Sequence, residues 1–201
     1  MQPTPDKSGA ALHAFIAHRF GVGDRLYGVV DAARDRELAL AAQAHSPGQP
    51  RWLFKGTAGG HMADVAPYFV PIEFDKRYPY PGSGYLDLWA ESLGRSAGIL
   101  LIAAIAPDAL WDHLRELFAV TGPDDREYYF RFYDPRVLRL FFPTCTPSEA
   151  GEFFGPIRSV LVEAEKRGEM LACKKSESGV EMDTHPLEAP GSAADQRGGR
   201  R

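Results

Sequence analysis

Gly98-Ile99-Leu100-Leu101-Ile102-Ala103-Ala104 is the stretch on which the fold turns. Its seven residues carry no polar side chain. A half-exposed strand would alternate apolar with polar, and a buried helix needs a longer run, so the segment predicts a central strand covered on both faces. Pro107 follows, at a place that suits the first turn of a helix, and Leu110, Leu114, Leu117 and Phe118 then recur at helical spacing. A strand and the helix that packs across it are the nucleus of the reading.

Upstream, Leu12, Phe15, Ile16 and Phe20 form a helical stripe that starts after Ser8 and stops at Gly21. Leu26–Asp31 is a short buried strand, and Asp35 can cap a helix running to Ala44 with Leu38 and Ala42 inward. Strands at Arg51–Phe54 and Tyr68–Ile72 precede a turn-rich Pro79–Gly84 and a helix over Tyr85–Leu93. Downstream, Thr121–Asp125 is a hairpin turn and Arg126–Tyr133 a long second strand. Asp134 and Pro135 open a helix as N-cap and first helical residue. Thr146-Pro-Ser-Glu149 matches the capping box, and Ile157–Ala164 with Glu169–Lys174 reads as a hairpin turned at Lys166–Gly168. Interleaved helices and strands predict one α/β domain over residues 8–174, a mixed parallel and antiparallel sheet flanked by helices. Residues 1–7 are expected to fray. Residues 175–201, rich in Ser, Glu, Gly, Pro and Asp, are expected to form a disordered tail.

The 201 residues fit one domain, and the net charge of -4 lacks the cationic footprint of a nucleic-acid binder. The apolar run Gly98–Ala106 is far short of the roughly 20 residues that cross a bilayer, and the N-terminus has no basic-then-apolar leader, so a cytoplasmic protein is expected. Cys145 and Cys173 have no companions at metal-ligand spacing and read as reduced structural thiols. No metal and no cofactor is expected.

Gly94-Arg95-Ser96-Ala97-Gly98 matches the nucleophile-elbow pattern G-x-S-x-G and makes a serine hydrolase acting through Ser96 the enzymatic alternative. That chemistry needs strand, sharp turn, then helix, whereas here helix comes first and strand after. The downstream histidines, His113 in a helix and His185 in the expected tail, are poorly placed for a triad. His113 and Glu116 lie three apart on a helix but lack a third metal ligand. Lys55–His61 is a Gly-rich loop without the Gly-Lys-Ser/Thr ending that holds phosphate. No catalytic residue is assigned.

Tyr129-Phe-Arg-Phe-Tyr-Asp-Pro-Arg-Val-Leu138 resembles a signature of the domain-of-unknown-function 4123 family, the adaptor chaperones of type VI secretion. Tyr27–Asp35, Asp64–Val70, Gly94–Leu101 and Phe154–Pro156 match in the same order, so the resemblance spans about residues 26–165. It implies a non-enzymatic protein that recognises a secreted effector and docks it on a VgrG spike protein, while charge and the short apolar runs lead to no nucleic acid and no membrane being expected as partner. Asp31, Arg95, Asp134, Pro135 and Arg136 fall in the matched segments and are read as structural, with Asp134 capping a helix and Arg136 pairing with a carboxylate. Alternation along Arg126–Tyr133 sends Tyr128, Phe130 and Phe132 to one side and Tyr129, Arg131 and Tyr133 to the other. The Tyr and Arg mixture is that of interface hot spots, which makes Tyr129, Arg131 and Tyr133 the candidate partner contacts; the first expectation, however, is that a helix of the same domain covers this face and Arg131 pairs internally.

Overall fold

A computed structural model describes residues 7–54, 65–78, 84–121 and 124–187. The chain runs α1 (Lys7–Ala17), β1 (Arg25–Asp31), α2 (Arg36–His45), β2 (Arg51–Trp52), β3 (Pro67–Ile72), α3 (Gly84–Glu91) and β4 (Gly98–Ala103). It continues with α4 (Pro107–Glu116), β5 (Ala119–Thr121), β6 (Glu127–Tyr129), α5 (Pro135–Phe141) and a 3-10 turn (Phe142–Thr144). Last come α6 (Pro147–Phe154), β7 (Ile157–Glu163), β8 (Glu169–Ser176) and β9 (Gly179–Pro186).

Seven strands form one sheet in the order β2-β3-β1-β4-β7-β8-β9, while β5 and β6 make a separate hairpin. β4 sits in the middle, as its apolar run requires. Ile99, Leu101 and Ala103 enter a core shared with α4, α5 and α6, whereas Leu100 and Ile102 enter one shared with α1, α2 and α3. Helices therefore cover both faces. The expected mixture of parallel and antiparallel strands is corrected: every pairing is antiparallel. An unbroken apolar run records that both faces of a strand are covered, and helices on both sides do that whatever the strand direction.

The second correction is at the C-terminus. β8 extends to Ser176, and β9 pairs with it from Ser176↔Gly179 to Glu169↔Pro186. Composition hid this because β9 lies at the sheet edge: its solvent-facing positions carry Glu181 and Asp183, and only Val180 and Met182 reach the core. Residues 188–201 of the expected tail and 1–6 of the expected frayed start lie outside the described residues; Lys7 already belongs to α1.

Local signals fared well. Asp35 accepts from Leu38 N–H, Asp134 from Arg136 N–H, and Thr146 with Glu149 completes a reciprocal capping box. Pro107 and Pro135 open their helices. Cys145 and Cys173 are free and buried, and burial pushes their thiols up to about 11 and about 12, so both stay protonated at neutral pH. No helix among the described residues is long and apolar enough to cross a membrane.

Candidate functional site

The matched segments converge on one end of the sheet. Asp31 closes β1 with its backbone N–H on the Ala97 carbonyl at 2.8 Å, which ties the loop before β4 to the strand beside it. Its side chain is buried; Oδ1 accepts from Ala33 N–H at 3.0 Å and Oδ2 from Arg131 Nη2 at 2.8 Å. Asp35, four residues on, takes Arg95 Nη1 at 3.0 Å. Arg34 donates through Nε and Nη2 to the Arg95 carbonyl. Asp134 takes Arg136 through Nε at 3.0 Å and Nη2 at 2.7 Å, a two-point contact that suits a planar guanidinium. Asp134 also feels the charge of Arg131, and Arg136 that of Asp31 and Glu163, so these pairs form one electrostatic neighbourhood.

Glu163 supplies a further anchor at the end of β7. It accepts from Gly94 N–H at 2.7 Å and from the Ser96 hydroxyl at 2.9 Å, while its backbone carbonyl takes Arg139 Nη1 at 2.8 Å. Ser96 is buried with φ +56°, a left-handed conformation costly for a serine and held here by its carboxylate partner. The G-x-S-x-G segment joins α3 to β4, in the order helix then strand, and the hydroxyl is engaged by Glu163 rather than by an imidazole. His113 instead lies 2.9 Å from the Phe153 carbonyl, and His185 sits on β9. This geometry fastens the loop before β4 to the end of β7.

Of the three candidate partner contacts, the structure leaves Tyr129 outermost, at 73% exposure. Tyr133 is corrected: it is buried, with its ring stacked on Phe118 at 6.0 Å. Arg131 is half-exposed and paired with Asp31, which is the internal pairing expected first. The alternation failed because β6 ends at Tyr129. Phe132 N–H bonds the Phe130 carbonyl and Asp134 N–H the Arg131 carbonyl, so the chain turns and both Phe132 and Tyr133 face inward. Tyr128, expected inside, is half-exposed and donates its hydroxyl to Asp124. Arg131 also lies over the Tyr133 ring at 5.6 Å, and Phe118 touches Tyr129 at 5.5 Å, so one aromatic chain links the exposed tyrosine to the arginine cluster.

Sequence reading missed Asp35, Ser96 and Glu163 as partners in this network. Asp35 was legible only as a helix cap, and Glu163 lies 67 positions from Ser96, a separation no local pattern bridges.

Asp35 and Asp134 set an acid limb. Burial pushes each carboxyl up, but hydrogen bonds and the facing arginine more than offset it, leaving both below the ordinary aspartate range. A carboxyl depressed on folding contributes stability that is complete above its unfolded value of about 4 and is lost as pH falls through the folded value. Melting should therefore be level from neutral pH to about 5 and fall below about 4. Asp134→Asn should show its largest Tm deficit near neutrality, narrowing as acid protonates the parent. Thermal melts of both proteins across that range check this, and a deficit independent of pH would count against the ion-pair account.

A family model described as a domain of unknown function (DUF4123) matches residues 26–152, a span that runs from β1 to the middle of α6 and includes the Asp31–Arg131, Asp35–Arg95 and Asp134–Arg136 pairs but not Glu163. No curated protein and no solved structure matches the chain.

Proposed function

Because the chain belongs to the DUF4123 family, we propose that it works as an adaptor chaperone of type VI secretion in the bacterial cytoplasm, binding a secreted effector and loading it onto a VgrG spike protein, without catalytic activity of its own. The observation that carries the surface assignment is the exposed Tyr129 beside the half-exposed Arg131, linked through Phe118 and Tyr133. A large aromatic ring left open to water and a guanidinium beside it are the side chains that dominate binding energy at protein interfaces. The order of elements around Ser96, helix then strand, supports a non-enzymatic role, since the nucleophile elbow needs strand, sharp turn, then helix.

Replacing Tyr129 by Ala removes little that the fold depends on, so the Tm should move by no more than a few degrees. Capture of the chain's cognate effector should weaken by about tenfold or more, the effect of losing a hot-spot side chain. Pull-down of the tagged effector with parent and variant measures it. Undiminished capture by a folded Tyr129→Ala protein would remove this surface from the reading.

A further inference from the structure

At the sheet end the two signs of charge are separated in depth. Asp31, Asp35 and Asp134 are buried, whereas the side chains of Arg131, Arg95 and Arg136 keep 47%, 57% and 48% of their surface. Each arginine is anchored from below and open above. Arg131 gives Nη2 to Asp31 and Arg95 gives Nη1 to Asp35, while about half of each side chain stays open to solvent. A chain whose net charge is -4 thus presents cations at this end. The guanidiniums are fixed in direction by their carboxylates, so little side-chain freedom remains to be lost when a second carboxylate arrives.

Apolar surface lies alongside. Leu140 is 77% exposed and four residues from Arg136, which puts both on one face of α5. Tyr129 flanks Arg131 on the other side through the Phe118–Tyr133 stack. A polyphosphate would answer the arginines and leave Leu140 in water; an acidic peptide with an apolar side chain answers both.

We propose that this face, Tyr129–Arg131–Arg136–Leu140 with Arg95 beside it, receives an acidic segment of a protein partner, whose carboxylates meet the outward guanidiniums and whose apolar side chain covers Leu140. This rests on the adaptor reading and names the chemistry of the segment recognised. The partner's recognition segment is accordingly rich in Asp and Glu interrupted by Leu or Phe.

The probe is a short synthetic peptide of alternating Asp, Leu, Glu and Phe, with an Asn/Gln counterpart of the same apolar content, titrated by fluorescence anisotropy against the full chain. The acidic peptide should bind about tenfold tighter at low salt, and that advantage should vanish near 0.5 M, where screening acts within about 4 Å. Arg95→Gln, Arg131→Gln and Arg136→Gln should each weaken it several-fold, and Arg136→Lys should retain part of the binding because it keeps the charge. Thermal melts identify variants that remain folded; Asp31, Asp35 and Asp134 keep the backbone N–H groups of Ala33, Leu38 and Arg136 as partners in them. Equal binding of the two peptides, or no loss in folded arginine variants, overturns the proposal. The adaptor reading fails separately. If the parent captures no cognate effector yet binds the acidic peptide, the surface stands and the adaptor reading falls; if the effector is captured undiminished by the arginine variants, the adaptor reading stands and this surface falls.

Discussion

Gly98→Val is expected to be the most destabilising single substitution in the central sheet, lowering Tm by about 10 °C or more. Gly98 opens β4 opposite Val30 of β1, and a Cβ there would stand 2.1 Å from the Val29 carbonyl oxygen and 3.1 Å from Val30 Cα. Both are main-chain atoms of the neighbouring central strand, so no rotamer change can make room. Overpacking in a core commonly costs about 1–3 kcal/mol, and here the obstacle is backbone, so about 3 kcal/mol or more is expected. Gly94→Ala is the control: its φ is +91° with no atom within 4 Å of the new Cβ, so only conformational strain of about 1 kcal/mol should appear. Denaturant unfolding of the two variants separates them, and a well-folded Gly98→Val would mean that β1 and β4 lie farther apart than described.

Ending the chain at Ser176 should be nearly as damaging. The cut removes β9, strips the outer ladder from all of β8, and takes away Val180 and Met182 from the core formed with α4, α5 and α6. Burying two such side chains contributes about 3–5 kcal/mol at full burial, so roughly 3 kcal/mol is a fair expectation for these partly buried ones. In a chain of this size that lowers Tm by about 10 °C, and the uncovered edge of β8 invites aggregation. A shortened chain melting within about 2 °C of the parent would restore the sequence-based expectation of a dispensable tail.

That expectation shows where sequence reading stops. Elements with a dense local signal were readable: the apolar run of β4, the stripe of α4, the caps Asp35, Asp134 and Thr146, and the hairpin β7–β8. Each is fixed by residues within a few positions of one another. β9 was not readable, because an edge strand buries so little that its composition imitates a tail. The strand expected over Arg126–Tyr133 stops at Tyr129 because tertiary packing of Phe132 and Tyr133 overrides alternation. The direction of strand pairing left no mark on the apolar pattern at all.

The site divides in the same way. Asp134, Pro135 and Arg136 act on one another within three positions, and the local pattern gave the cap. Arg131 and Asp31 are 100 residues apart, and Arg95 and Asp35 60, so no spacing rule could pair them. The run Tyr129–Leu138 supplies both the arginine that reaches back to Asp31 and the Asp134–Arg136 pair.

The most direct test of the adaptor account is co-purification of the tagged chain with the protein encoded by the adjacent gene, in the presence and absence of the C-terminal part of a VgrG spike protein. The account predicts a stable complex with that protein and a larger assembly when the spike fragment is added, both weakened by Tyr129→Ala. A chain that captures neither protein while remaining folded would contradict it.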